Sequence, residues 1–204
     1  ARTQAIELLP SVHVPDPEKP IDYYPHRLSG GMCQRVMIAM ALASRPRVLI
    51  ADEPTTALDT TVQAQVMALL KPATRPPGGG VVLTRHTRGV APDAAQNVAV
   101  MYAGRIVEAG PVREVFSTPR HPYTVGLLQA IPDGHDIADG DEIPALTEIP
   151  GNVPRPGLTR TGCAFAPRCP RAQARCTQER PELAAQEGSL RTAACFFPHD
   201  GVLQ

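Results

Sequence analysis

The sequence predicts an α/β fold followed by a small cysteine-rich C-terminal extension. Three patterns carry that expectation. Short apolar runs alternate with helix-forming stretches up to about residue 110, the composition then becomes loop-like, and four of the five cysteines lie at Cys163, Cys169, Cys176 and Cys195.

Each element follows from local signals. The first 27 residues are mixed and proline-rich, with Pro25 just ahead of Leu28-Ser29-Gly30-Gly31. Good helix formers with apolar spacing from Met32 to Ala43 predict a helix that starts near Ser29 and stops before Pro46. Val48-Leu49-Ile50-Ala51 ends abruptly in Asp52-Glu53-Pro54, the pattern of a buried parallel strand with acids at its carboxyl end. Asp59 or Thr60 can cap a second helix through Leu70. Gly80 to Thr84 reads as another buried strand. Val98 to Tyr102 and Arg105 to Glu108, joined by Ala103-Gly104, read as a hairpin. Past Pro111 a short helix is expected around Val112 to Phe116, and another from His121-Pro122-Tyr123-Thr124 to about Ala130. A Gly-, Asp- and Pro-containing loop then runs from Pro132 to roughly Gly157. These shifts place a domain boundary near residue 110, giving domains 1–110 and 111–204.

Composition excludes several functions. Basic and acidic residues balance at 20 each and aromatics are only 4%, which argues against a nucleic-acid module. The longest apolar runs fall far short of the about 20 residues that span a bilayer. No charged leader with an apolar segment opens the sequence, so a cytosolic protein is expected. Four crowded cysteines then point to metal or cluster ligation ahead of disulfides.

Two strings carry the chemistry. Ser29-Gly30-Gly31 at a helix start lets backbone N–H groups approach an anion, with the helix dipole adding positive potential. Seventeen residues after Gly31 begins Val48-Leu49-Ile50-Ala51-Asp52-Glu53-Pro54-Thr55-Thr56-Ala57-Leu58-Asp59. A strand that delivers Asp52 and then Glu53 to its tip suits phosphoryl transfer: the first acid can hold Mg²⁺ through water, the second can orient or deprotonate the attacking water. A lone Asp-Glu pair would ordinarily be a solvated strand end. His86 follows the apolar run Val81-Val82-Leu83-Thr84.

Together these strings resemble the signature, Walker B and D-loop of ABC ATPases. Tyr24-Pro25-His26-Arg27-Leu28-Ser29-Gly30-Gly31-Met32, Val100-Met101-Tyr102-Ala103-Gly104-Arg105-Ile106-Val107-Glu108, His121-Pro122-Tyr123-Thr124 and Gly162-Cys163-Ala164-Phe165-Ala166-Pro167-Arg168-Cys169-Pro170 narrow the resemblance to the ATP-binding subunits of oligopeptide, dipeptide and nickel permeases. The resemblance implies a partial RecA-like core with a helical subdomain, dimerised head to tail with a second ATPase subunit, as homodimer or heterodimer. It implies that Glu53 and His86 are catalytic and that Asp52 serves Mg²⁺. Ser29, Gly30, Gly31, Gln34 and Asp59 would meet the partner's ATP. Two transmembrane permease subunits and an extracellular solute-binding protein would complete the importer, placing the chain on the cytoplasmic face of the membrane.

No Gly-x-x-x-x-Gly-Lys-Ser/Thr occurs among the 204 residues. In the family that loop precedes the signature, so it is expected upstream of Ala1. The leading reading is therefore an ATPase that energises peptide import. Its rival is a non-catalytic partner that lends its signature motif and cluster to an intact ATPase.

The four tail cysteines are separated by five, six and eighteen residues. Four thiolates suit a [4Fe–4S] cluster or tetrahedral Zn²⁺. Zinc ribbons favour ligand pairs two to four residues apart, which this tail lacks. Cluster-bearing tails in the resembled family favour iron–sulfur, with zinc as the alternative.

Overall fold

The computed structural model describes residues 2–54, 60–70, 79–85, 95–130, 148–155, 161–185 and 190–201. The side chains of residues 60–62 are also outside the described set. The chain forms two compact units, Ala1–His86 and Thr87–Gln204. The β-hairpin, read from the sequence as part of domain 1–110, lies in the second of these units.

The first unit opens with helix α1 (Arg2–Leu8) and short 3-10 turns at Leu9–Val12, Pro20–Asp22 and Pro25–Arg27. Each turn has proline in its first helical positions, where a missing N–H costs nothing. Helix α2 (Gly30–Ala43), strand β1 (Val48–Asp52), helix α3 (Thr60–Leu70) and strand β2 (Gly80–Thr84) follow. β1 and β2 pair in parallel, Val48 opposite Gly80 and Asp52 opposite Thr84. On α2, Met32, Val36, Ile38, Ala39 and Leu42 recur at three- and four-residue spacing and face the core, joined by Val66, Leu69 and Leu70 of α3. Leu9, Val12 and Val14 complete that core.

The sequence suggested fully buried strands, and here the structure differs. Leu49, Ala51 and Leu83 pack on the core, whereas Val48, Ile50 and Val82 point away and are 60%, 70% and 52% exposed. Successive strand residues face opposite sides, and among the described residues this sheet has two strands with a core on one face.

The second unit begins with the expected hairpin. Strand β3 (Asn97–Tyr102) pairs with β4 (Arg105–Pro111) across a two-residue loop. Both loop residues are left-handed, Ala103 at φ 48° and Gly104 at φ 77°. That is the turn geometry whose twist matches a hairpin. A bulge lies between Val100 and Met101. Helices α4 (Val112–Ser117) and α5 (Pro122–Gln129) follow at the expected places.

Beyond them the structure adds what composition did not suggest. The tail holds a 3-10 turn (Ala166–Arg168), helix α6 (Ala174–Gln178) and strands β5 (Ala184–Ala185) and β6 (Thr192–Ala193). β6 pairs with β4, giving an antiparallel sheet of order β3-β4-β6-β5. The tail thus joins the hairpin's sheet.

The centre of this unit is aromatic. Phe165, 2% exposed, sits edge-on to Tyr102 at 5.2 Å between ring centres and is flanked by Tyr123 and His121 at 5.4 and 5.7 Å. Beside them lies a buried carboxylate. Glu108, with no exposed surface, accepts the backbone N–H groups of Arg120 and His121, each at 2.9 Å. It also accepts Nη2 of Arg191 at 3.3 Å. Arg191 in turn donates to the hydroxyl of Thr118 at 2.7 Å and to the Thr118 carbonyl.

Gly110 of β4 faces Arg191 so closely that an added Cβ would lie 2.8 Å from Arg191 Cγ and 3.2 Å from its Cα. Gly110→Ala is therefore expected to push β6 off β4 at a cost of about 1–3 kcal/mol, typical of overpacking. Faster hydrogen exchange at the Ala194 amide, which bonds the Val107 carbonyl, would report it. Gly80→Ala, which meets nothing within 4 Å, serves as the control and is expected to leave that amide unchanged.

Candidate functional site

In the first unit, Ser29 is the N-cap of α2. Its backbone is extended (φ −66°, ψ 159°) and its Oγ accepts the Met32 N–H at 3.3 Å. The Ser29 carbonyl takes the Cys33 N–H. That leaves the Gly30 and Gly31 amides at the helix start without a partner among the described residues, and neither glycine carries a side chain over them. Gly30 meets nothing within 4 Å of a would-be Cβ. The arrangement can receive an anion at a helix N-terminus. Gln34 lies one turn on, half-buried.

The acids sit at the tip of β1 as the sequence implies. Thr84 Oγ1 donates to Asp52 Oδ1, joining the ends of the two strands. The Glu53 N–H meets Thr84 at its carbonyl (3.2 Å) and hydroxyl (3.3 Å). Glu53 itself has φ 44°, a left-handed conformation that a residue with a Cβ adopts only at a cost. The chain thus turns sharply right after the strand and sets Glu53 apart from the ladder. Thr84 was not singled out from sequence. Its place at the end of the strand before His86 was the only signal. His86 and Asp59 lie outside the described residues.

In the second unit all four tail cysteines line one cavity with His121 and Phe165. Each thiol comes from a separate local structure. Cys163 is held by its N–H to the Cys176 carbonyl at 2.8 Å. Cys169 ends the 3-10 turn, Cys176 lies in α6 and Cys195 follows β6. Gly162 permits the close pass: a Cβ there would stand 2.5 Å from the Cys176 and Thr177 carbonyl oxygens.

Burial raises the Cys195 thiol pKa to about 11, offset by the Phe197 N–H and reinforced by the three other cysteines. Burial also raises Cys169, offset by the Arg171 N–H and reinforced by Cys163 and Cys176. A bound cation would favour the thiolate forms that burial disfavours at Cys169 and Cys195. As the side chains stand, no group of three or more His, Cys, Asp or Glu among the described residues is disposed to hold a single metal ion. The cavity that the four cysteines line with His121 and Phe165 has a volume of about 20 Å³, close to one water. Cys163, Cys169 and Cys195 are half-buried and Cys176 is buried. Cysteine sulfur is the donor type that soft metal centres take. Cys33 belongs to α2 in the other unit, its Sγ 3.5 Å from the Pro25 carbonyl.

A capped Gly-Gly helix start and an acid-tipped parallel strand are the features of the first unit that bear on phosphate chemistry. Residues 1–56 match the family described as ABC transporter. Residues 107–176 match the family described as oligopeptide/dipeptide transporter, C-terminal region. It is 47% identical to the dipeptide transport ATP-binding protein DppD of Escherichia coli, over 98% of this chain and 59% of that one. It is 49% identical to the oligopeptide transport ATP-binding protein AppD of Bacillus subtilis, over 97% of this chain and 58% of that one. The chain thus spans about three-fifths of the length of these curated relatives. Among solved structures, the ADP conformation of MJ1267, an ATP-binding cassette of an ABC transporter, matches with a TM-score of 0.51 at 19% identity, covering 61% of this chain and 48% of that one. That likeness shows the mixed α/β fold alone. No described helix is long and apolar enough to cross a membrane.

His121 gives the second unit a pH signature. Burial lowers its pKa to about 4, well under the ordinary 6.5. Between those values the unfolded chain binds the proton and the folded chain does not, so stability is whole above about pH 6.5 and falls as pH drops toward 4. The full loss is on the order of 3 kcal/mol, at 1.36 kcal/mol per pKa unit. In metal-free protein, exchange protection of the β3–β4 amides is expected to drop between pH 7 and 5, and to drop less in His121→Gln. An equal drop in the variant would assign the dependence to other groups.

Proposed function

We propose that this chain works as the ATP-binding and ATP-hydrolysing subunit of an importer of peptides or a related solute such as nickel. The observation that carries the reading is the tip of β1, where Glu53 leaves the ladder at φ 44° beside an Asp52 tied to Thr84. Glu53 acts as the general base: it accepts a proton from the water that attacks the γ-phosphate. Asp52 would hold a water of the Mg²⁺ shell, and that ion would supply positive charge against the phosphates. His86 contacts the γ-phosphate. Ser29, Gly30, Gly31, Gln34 and Asp59 face ATP held by the P-loop of a second ATPase subunit. Two transmembrane permease subunits and an external solute-binding protein are the further partners, with the chain peripheral at the cytoplasmic face. What supports this is the peptide-transport naming of relatives at 47% and 49% identity and the uncommitted amides at the start of α2. Those of the 204 residues that bear on phosphate chemistry include no P-loop, so the P-loop must be present wherever turnover is measured.

Glu53→Gln, assayed in the full-length subunit with its partners, is expected to keep ATP binding and to lose about 100-fold or more in turnover, the range for removal of a general base. Undiminished steady-state hydrolysis would sink the assignment.

We further propose that Cys163, Cys169, Cys176 and Cys195 hold one [4Fe–4S] cluster. Four soft ligands around one cavity support a thiolate-bound centre. Single-ion tetrahedral zinc would draw the four sulfurs within about 3.8 Å of one another, given Zn–S bonds of about 2.3 Å. A cluster gives each thiolate its own iron and so accepts a wider set. Anaerobically purified protein is expected to be brown, with about four iron and four sulfide per chain as the cluster's formula requires. Replacing any one of the four by Ser should reduce that content, and Cys33→Ser should not. One zinc without sulfide would replace the cluster by the alternative ion.

A further inference from the structure

His121 lines the cysteine cavity and is 1% exposed. Apart from the thiols and Arg171, it brings the one side chain with a polar atom to that cavity's lining. Its ring is fixed from three sides. The backbone N–H donates to Glu108 at 2.9 Å, Phe165 packs against the ring, and Nδ1 accepts the Tyr123 N–H at 3.1 Å. An Nδ1 that accepts a hydrogen bond leaves the proton of a neutral imidazole on Nε2. That Nε2–H has no partner among the described residues. The side-chain acceptors that line this cavity are sulfur atoms.

We propose that His121 is a positioning residue of the cysteine site, its Nε2–H donating a hydrogen bond to a sulfur of the thiolate-bound centre. The inference rests on the reading that the four cysteines hold a cluster. Hydrogen bonds to cluster sulfurs withdraw electron density and stabilise the reduced state, so His121 raises the reduction potential of whatever cluster is bound. The placement gives the histidine a role that packing alone does not: an apolar ring of similar size would fill the same space beside Phe165.

The test compares the reduction potential of anaerobically purified wild type, His121→Phe and His121→Gln, each with its iron and sulfide content. His121→Phe is expected to keep the cluster and to disfavour its reduction at least tenfold, which is about 59 mV for a one-electron couple. His121→Gln, whose amide can donate, is expected to recover part of that shift. Equal potentials in wild type and a cluster-bearing His121→Phe would overturn the proposal while leaving the cluster intact. Wild type without iron and sulfide would overturn the underlying cluster reading instead. A measurement on wild type alone guards against misfolding of the variants. Electron–nuclear double resonance of the reduced, ¹⁵N-histidine-labelled protein is expected to show an exchangeable proton and a weak nitrogen coupling at the cluster. Absence of both would overturn the proposal.

Discussion

The second unit depends on the Glu108 carboxylate. A charge with no exposed surface is costly to desolvate and persists only when its lone pairs are met. Here two backbone amides and one guanidinium meet them: Arg120 and His121 from the start of α5, and Arg191 from the start of β6. Charge-assisted bonds of this kind are short and directional. One side chain therefore fixes three segments that are distant in sequence: the hairpin that carries Glu108, the helix start that carries His121, and the strand that precedes Cys195. Removing any one of them would leave a buried charge or buried donors unmatched.

The first unit is organised differently, by apolar packing on one face and polar closure at one edge. Its helices cover Leu49, Ala51 and Leu83, while the ends of its two strands are tied by Thr84 to Asp52 and to the Glu53 amide. That tie helps fix the backbone just beyond the last ladder position. The left-handed turn at Glu53 stores strain, held by the pairing of β1 with β2 and by the Glu53 N–H bonds to Thr84. Strain at this point is consistent with the position being shaped by function more than by stability.

Much of this was legible in the sequence, for identifiable reasons. Helix α2 announced itself by apolar spacing and a Ser cap. β1 and β2 announced themselves by apolar runs with turn residues at their ends, and the hairpin by Ala103-Gly104. What periodicity could not supply was which face of β1 meets the core, because a run apolar at every position carries no alternation to read. Nor could it find β5 and β6. At two residues each they are set by pairing with β4 and each other, not by local propensity. Glu108 reads in sequence as an ordinary strand-end acid. Only the fold reveals that Arg191 comes to it from 83 positions away. Of the candidate site, Asp52, Glu53 and Ser29 were readable from motif order, whereas Thr84 and His121 needed the structure to show what they touch.

The same long-range closure explains how a tail with few secondary-structure signals can bring four thiols to one cavity. Gathering thiols from residues 163 to 195 costs loop-closure entropy, which grows slowly with length but must be met before any ligand bond forms. The chain meets much of it without a ligand. Gly162 admits Cys163 to the Cys176 carbonyl, the 3-10 turn aims Cys169, and the Glu108–Arg191 pair with the Ala194–Val107 bond anchors the strand before Cys195. Arg175 of α6 stacks over Phe196 at 4.1 Å, adding a contact between the helix bearing Cys176 and the segment just after Cys195. A centre bound here would find its ligands already on one cavity, and its own binding energy would go into ligation instead of into folding the tail.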